Sequence, residues 1–215
     1  FCKKFLYHRD IIRGLSVKTF FLLFFILLLV IAALVALCVL PVLALVRRKP
    51  LKIPSFLSGL IQGNRVPDQY EKEAPEREKF FDSLPCETVE LTAPDGARLF
   101  GRLLVPSHPN GILILACHGA RSSGRGEFCF FAPDFFQKGY TLLMPDHRGC
   151  GKSDGDHLGY GTHEKNDTFL WLDFAEKRFA QWNIYLLGVS MGAATVLMMS
   201  REERVRKEIC GVIAD

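Results

Sequence analysis

Residues 184–194 of the 215-residue chain read Ile-Tyr-Leu-Leu-Gly-Val-Ser-Met-Gly-Ala-Ala, and the residues after them contain no helix breaker. This pattern predicts a buried strand, a sharp turn and a helix in direct succession, the context in which Gly-x-Ser-x-Gly forms a nucleophile elbow. Gly188 and Gly192 lack the Cβ atoms that would collide where strand and helix approach each other. Ser190 is therefore predicted to have φ above zero and an exposed nucleophilic hydroxyl. The alternative is an ordinary strand-to-helix turn, in which Ser190 would be helical or extended.

The second feature is a run of 27 residues without a charged side chain, from Phe20 to Val46. As a helix it would be about 40 Å long, more than the roughly 30 Å of a hydrocarbon core. A signal peptide has a shorter apolar region and a cleavage site of small residues, whereas this run ends in Arg47-Arg48-Lys49. A buried core helix is a further alternative. The pattern favours a single-pass transmembrane helix over residues 20–46, with the membrane lipid bilayer as a partner.

Charge is distributed unevenly along the chain. Residues 1–52 contain nine of the 27 Lys and Arg residues but only one of the 23 acidic residues. The basic excess therefore belongs to the flanks of the apolar run, and it gives no support for nucleic acid binding. Basic residues stand on both sides of the run, so the positive-inside rule does not assign the side of the membrane. The seven cysteines include no C-x-x-C pair, and Cys117 and Cys210 are expected to be buried thiols.

Composition divides the chain into a basic N-terminal flank (1–19), the transmembrane helix (20–46), a linker with a pre-domain helix (47–85) and a domain from residue 86 onward. Within that domain, short apolar runs alternate with helical patterns, which predicts an α/β fold with a doubly wound, mostly parallel sheet. An antiparallel hairpin is expected to come first. The predicted strands are 87–92, 98–105, 111–117, 140–144, 184–188 and 209–214, and the predicted helices are 69–82, 128–138, 164–179 and 191–200.

A loop directly after the third predicted strand begins with His118-Gly119-Ala120. Open α/β sheets bind ligands at the carboxyl ends of their strands. A glycine here permits a tight turn, so that the N–H groups of Ala120 and Met191 can form an oxyanion hole. His118 is read as a structural hydrogen-bonding residue, with a catalytic base as the alternative.

A second loop follows the fourth predicted strand and reads Asp146-His-Arg148-Gly-Cys-Gly-Lys-Ser. Its Gly-x-Gly-Lys-Ser tail is typical of phosphate loops, but Asp146 stands where the first Walker glycine is required, so that pattern fails. We expect a loop that is pinned by a charge-assisted pair between Asp146 and Arg148.

With these three motifs in order, residues 86–215 resemble the α/β-hydrolase superfamily. The apolar start and the sequence around the elbow are most similar to single-pass, membrane-anchored bacterial members described as serine-aminopeptidase-like or dienelactone-hydrolase-like. The resemblance implies a triad order of nucleophile, acid and histidine. All six histidines precede Ser190, and Asp215 as the acid would lie one strand early. The chain is therefore expected to be a C-terminally truncated fragment that is inactive alone.

These observations predict a membrane-anchored serine hydrolase that cleaves an ester, thioester or amide of a small-molecule or peptide acyl substrate through an acyl-enzyme at Ser190. No cofactor and no metal are implied, since the pair His163-Glu164 is better read as the solvated start of a helix. The competing hypothesis is a non-catalytic, membrane-tethered binding module of the same fold.

Overall fold

The computed structural model describes residues 17–48 and 68–215. An apolar helix, α1 (Val17–Val46), contains the segment Thr19–Ala44, which by length and composition is able to cross a membrane. Residues 1–16 of the predicted basic flank and residues 49–67 of the predicted linker lie outside the described residues. The chain consists of two compact units: one ends at Leu45, and the other is formed by Val46–Asp215.

The unit Val46–Asp215 contains six strands and six further helices within its described residues. The strands are β1 (Cys86–Thr92), β2 (Arg98–Leu104), β3 (Ile112–Cys117), β4 (Thr141–Pro145), β5 (Asn183–Gly188) and β6 (Gly211–Ala214). The helices are α2 (Asp68–Ser83), α3 (Gly124–Phe128), α4 (Ala132–Gln137), α5 (Thr162–Arg178), α6 (Met191–Ser200) and α7 (Glu203–Glu208).

The strands form one sheet in the order β1-β2-β4-β3-β5-β6. β1 and β2 pair antiparallel, as the hairpin prediction requires, and β2 pairs antiparallel with β4. β4, β3, β5 and β6 are parallel. Because the carboxyl ends of parallel strands meet at one edge, the loops after β3, β4 and β5 come together there.

Helices cover both faces of the sheet. Trp171 of α5 and Val196 of α6 belong to one apolar cluster with strand residues, while Phe81 of α2 and Phe128 of α3 belong to a second cluster on the opposite face. The strands between them are nearly continuous in apolar residues, as expected for strands that are buried on both sides. The doubly wound architecture predicted from the sequence is therefore observed.

Two local predictions are wrong, and one further helix is not predicted from the sequence. The helix expected over 128–138 is shorter: α3 ends at Phe128 and α4 begins only at Ala132, with Pro133 in its first turn, where a missing N–H costs nothing. Helix α7 was not predicted. Cys117 is fully buried as expected, but Cys210 is exposed, with Sγ 3.4 Å from Asn183 Oδ1.

Candidate functional site

The turn between β5 and α6 places Ser190 at a strained position. Ser190 has φ 52° and ψ −110°, a backbone conformation that non-glycine residues seldom adopt. A Cβ on Gly188 would lie 2.3 Å from Gly192 O, and one on Gly192 would lie 1.9 Å from Cys117 O. The predicted positive φ and the predicted steric need for both glycines are therefore confirmed. The serine side chain is exposed at this turn.

Backbone hydrogen bonds fix the turn on both sides. The Ser190 N–H donates to Asp215 O at 2.8 Å, and the Asp215 N–H donates to Gly188 O at 2.9 Å. Since the Ser190 N–H is used in this way, it does not serve an oxyanion. Met191 is the first residue of α6, where backbone N–H groups have no partner inside the helix. This position is the one that the sequence predicts for an oxyanion donor.

The His118 loop lies beside the elbow because β3 and β5 are neighbours in the sheet, with Cys117 paired to Gly188. A Cβ on Gly119 would lie 3.5 Å from Ser190 Cβ. Ala120 packs against an apolar cluster that includes Met191. The structure thus brings the two residues predicted to form the oxyanion hole to one place, next to Ser190.

His118 is fully buried, and both of its ring nitrogens have partners. Nδ1 lies 2.6 Å from Gly119 O, and Nε2 accepts a hydrogen bond from the His147 N–H at 2.9 Å. This arrangement requires a neutral ring with its proton on Nδ1. Burial lowers the pKa of His118, which favours the same state. These contacts fit the structural role that the sequence predicts for His118.

The predicted pair between Asp146 and Arg148 is wrong. Asp146 is buried and accepts hydrogen bonds from the backbone N–H groups of Gly124 and Lys152 at 2.7 and 2.9 Å, with Arg102 Nη1 at 3.6 Å. Gly151 turns tightly beneath it, with φ 48°, and a Cβ there would lie 2.0 Å from Asp146 Oδ2.

Arg148 instead pairs with two other carboxylates. Its guanidinium donates to both oxygens of Asp167 at 2.6 and 2.7 Å and to Asp95 at 2.8 Å. The hydrogen bond from Arg148 lowers the pKa of Asp95. The expected pair fails because each residue has a better partner brought by another element: Arg102 and the Gly124 amide for Asp146, and Asp167 of α5 for Arg148.

Two acidic residues near this edge were missed or misread from the sequence. Glu164 is fully buried, not solvated, and its carboxylate accepts the N–H groups of Gly159 and Gly161 at 2.7 and 2.9 Å. The spacing Gly161-x-x-Glu164 resembles half of a capping box and could have indicated this. Glu127 accepts the Gly119 N–H at 3.3 Å. No pattern in the neighbouring sequence predicts the hydrogen bond between Gly119 and Glu127.

Within residues 17–48 and 68–215, no group of three His, Cys, Asp or Glu side chains is arranged to hold a metal ion. The expectation that the protein needs neither metal nor cofactor stays a prediction.

Comparison with known proteins gives concordant results. The family model described as "Serine aminopeptidase, S33" matches residues 107–214. Mouse monoglyceride lipase is 31% identical over 118 residues, which are 52% of this chain and 37% of the lipase. Human monoglyceride lipase is 29% identical over 136 residues, 61% of this chain and 44% of the lipase. An esterase from Pyrococcus furiosus superposes with a TM-score of 0.54 at 25% identity, covering 71% of this chain and 55% of the esterase. The chain spans about two fifths of the length of the curated relatives it matches.

Proposed function

Since the chain belongs to the serine aminopeptidase S33 family of the α/β-hydrolase superfamily, we propose that it is a membrane-anchored serine hydrolase with Ser190 as its nucleophile. The observation that carries the proposal is the exposed Ser190 at positive φ between β5 and α6. A strained, exposed serine at this junction is the geometry that presents a hydroxyl to an acyl carbonyl. Residues 20–46 are proposed as the anchor, and residues 86–215 are proposed to belong to the hydrolase domain.

In the proposed reaction, Ser190 Oγ attacks the acyl carbonyl and the leaving group departs with a proton, which leaves an acyl-enzyme that water hydrolyses. The Met191 and Ala120 N–H groups donate to the oxyanion of each tetrahedral intermediate. One such donor contributes on the order of 3 kcal/mol to the lowering of the barrier. The proton of Ser190 requires a general base. We do not assign that role to His118, because both of its ring nitrogens are already bonded.

Among the acyl substrates that this chemistry could cleave, we propose a small-molecule carboxylic ester before a thioester, an amide or a peptide. The support is that two matched relatives are monoglyceride lipases and that a superposed structure is an esterase.

The test of the nucleophile is covalent labelling with a fluorophosphonate probe, together with hydrolysis of p-nitrophenyl esters, by the protein as its gene encodes it in detergent micelles. We expect Ser190→Ala to abolish labelling and to reduce the hydrolysis rate by several orders of magnitude. Ser200→Ala, at the other end of α6, is the matched control and should label normally. Absence of labelling in the gene-encoded protein would instead favour the non-catalytic binding module.

The test of the anchor is extraction from membranes with alkaline carbonate. Each central Leu, Ile, Phe or Val contributes about −0.3 to −0.6 kcal/mol to insertion, so α1 should remain in the membrane pellet. Removal of residues 1–45 should release the protein. Recovery of the intact chain in the soluble fraction would contradict the anchor.

A further inference from the structure

Three residues that follow Leu45 are bound to the loop after β4. We call Val46–Arg48 the strap and residues 146–158 the β4 loop. The Leu158 N–H donates to Val46 O at 2.7 Å, and the Arg48 N–H donates to Asp156 O at 2.8 Å. Arg47 and His157 form the β-bridge between these two bonds. The strap therefore belongs to the hydrolase unit and pairs with the β4 loop as a short antiparallel strand would.

The side chain of Arg48 adds a second, more specific set of contacts. Its guanidinium donates to the carbonyl oxygens of Gly151, Ser153 and Gly155 at 2.6, 2.9 and 3.2 Å. A guanidinium carries five N–H donors in a rigid plane, so it can bond several carbonyls that converge on it, whereas the ammonium of a lysine is a point charge. The three carbonyls lie within residues 151–155 of the β4 loop.

The β4 loop is in turn packed against the proposed catalytic groups. Leu158 and Cys150 are buried in the same apolar cluster as Met191, and Ala120 packs against that cluster. At the start of the loop, Asp146 accepts the Gly124 N–H, just after the His118 loop. Both proposed oxyanion donors therefore pack against a loop that Arg48 also binds.

We propose that Arg48 is a positioning residue for this hydrolase: by bonding three carbonyls of the β4 loop, it keeps the loop in the shape that supports Met191 and Ala120. The inference rests on the proposed function for its catalytic consequence, while its structural part stands on the hydrogen bonds alone. It implies that the strap contributes to the proposed active site and does not only connect two parts of the chain.

The experiment compares Arg48→Met and Arg48→Lys with Arg47→Met in the gene-encoded protein in detergent micelles. Arg47→Met is the matched control, because it removes the same charge one residue away and its side chain is exposed. The first measurement is hydrogen–deuterium exchange. We expect amides of residues 149–158 and 189–194 to exchange about tenfold faster in Arg48→Met, because the variant loses three hydrogen bonds to the loop, each of modest net contribution. Arg47→Met should match the unaltered protein.

The second measurement is ester hydrolysis per active site, with the active sites counted by fluorophosphonate titration. We expect kcat per site to fall about tenfold in Arg48→Met, with KM changed by less than about twofold, because oxyanion donors act on the transition state rather than on ground-state binding. Arg48→Lys should recover only part of kcat. A role confined to folding would lower the number of titrated sites and leave kcat per site unchanged.

Two outcomes overturn the proposal: equal exchange in Arg48→Met and Arg47→Met, or faster exchange of residues 149–158 with kcat per site unchanged. If the unaltered protein neither labels nor hydrolyses esters, the proposed function fails by itself. The strap is then judged by exchange alone, and unchanged protection of residues 189–194 in Arg48→Met would overturn it.

Discussion

The elbow at Ser190 and the β4 loop meet at the same edge of the sheet, yet they are held in place by different means. The elbow keeps its conformation because Gly188 and Gly192 have no Cβ, which allows β5, α6 and β3 to come into close contact. The β4 loop is held by charged groups that reach it from elsewhere in the chain, namely Arg48, Arg102 and Asp167.

The difference shows two ways of fixing a loop at a site. The steric requirement is set by backbone atoms packed around one residue, so a single added Cβ prevents the conformation altogether. Charge pairing acts between distant segments and can be removed or replaced one pair at a time, with a free-energy cost set by burial. The elbow should therefore respond to substitution in an all-or-none manner, and the β4 loop in a graded one.

The largest effect is expected at Gly192. In Gly192→Ala the new Cβ would lie 1.9 Å from Cys117 O and 2.5 Å from Cys117 C, which are backbone atoms of the central strand β3. We expect a loss of about 4 kcal/mol or more in the free energy of unfolding, since β3 cannot move aside. Denaturant unfolding in detergent micelles measures it. Gly126→Ala is the control, because its nearest atom is the end of the Ser123 side chain at 3.1 Å. A cost below about 1 kcal/mol for Gly192→Ala would break the comparison.

A smaller effect is expected at Arg148. Its partner Asp167 is only 4% exposed, so Arg148→Met leaves a buried carboxylate without a counter-charge and should cost about 3 kcal/mol. Arg148→Met with Asp167→Leu should recover most of that loss, because no buried charge then remains unpaired. The exposed pair of Arg98 and Asp154 supplies the control, and Arg98→Met should cost less than about 1 kcal/mol.

If the losses in the free energy of unfolding caused by Arg148→Met and Asp167→Leu were simply additive, that result would contradict a loop held by charge pairing. The double variant would then be less stable than Arg148→Met by the full cost of Asp167→Leu. A double-mutant cycle on the free energy of unfolding distinguishes the two results.

The smallest effect is expected with pH, at the contact between His147 of the β4 loop and His118 of the loop after β3. His118 and His147 are buried, their ring centroids are 4.6 Å apart, and burial lowers both pKa values, that of His147 well below its ordinary value. In the unfolded chain these rings bind protons below about pH 6.5. The unfolded state therefore binds more protons than the folded state in acid, so stability is complete above about pH 6.5 and falls as the pH drops below it.

Melting temperatures at pH 7.5 and 5.5 test this pH dependence. His147→Leu should flatten the difference, whereas His163→Gln at an exposed position should leave it unchanged. Among the described residues, no group bonds His147 Nε2. An equal loss of melting temperature in His147→Leu and in the unaltered protein would show that other groups control acid stability.

The same contrast explains which parts of the fold and site could be predicted from the sequence. The elbow and α6 are determined by consecutive residues, and the predicted bounds of the helix Met191–Ser200 agree with the structure at both ends. The partners of the β4 loop are not local: Asp167 is 19 residues from Arg148, and Gly151 is 103 residues from Arg48. Nothing in the spacing of charges identifies such pairs.

Two helical errors have a similar origin. Helix α7 is short and mostly charged, with Val205 as its one buried residue, so it has no apolar periodicity to detect. The break between α3 and α4 depends on Pro133, which can either begin a helix or interrupt one. The sequence contains the proline, and the packing of α4 decides which role it takes.

The thiol of Cys117 lies at the end of β3, fully buried, and burial raises its pKa to about 12. In the closed sheet it is therefore neither ionised nor accessible to a maleimide. Cys86 and Cys210 are exposed and should react before the buried Cys117, Cys129 and Cys150. After Cys86 and Cys210 are blocked, slow modification of Cys117 would time the spontaneous opening of the central strand. The rate at which Cys117 is modified therefore reports how often β3 separates from its neighbours.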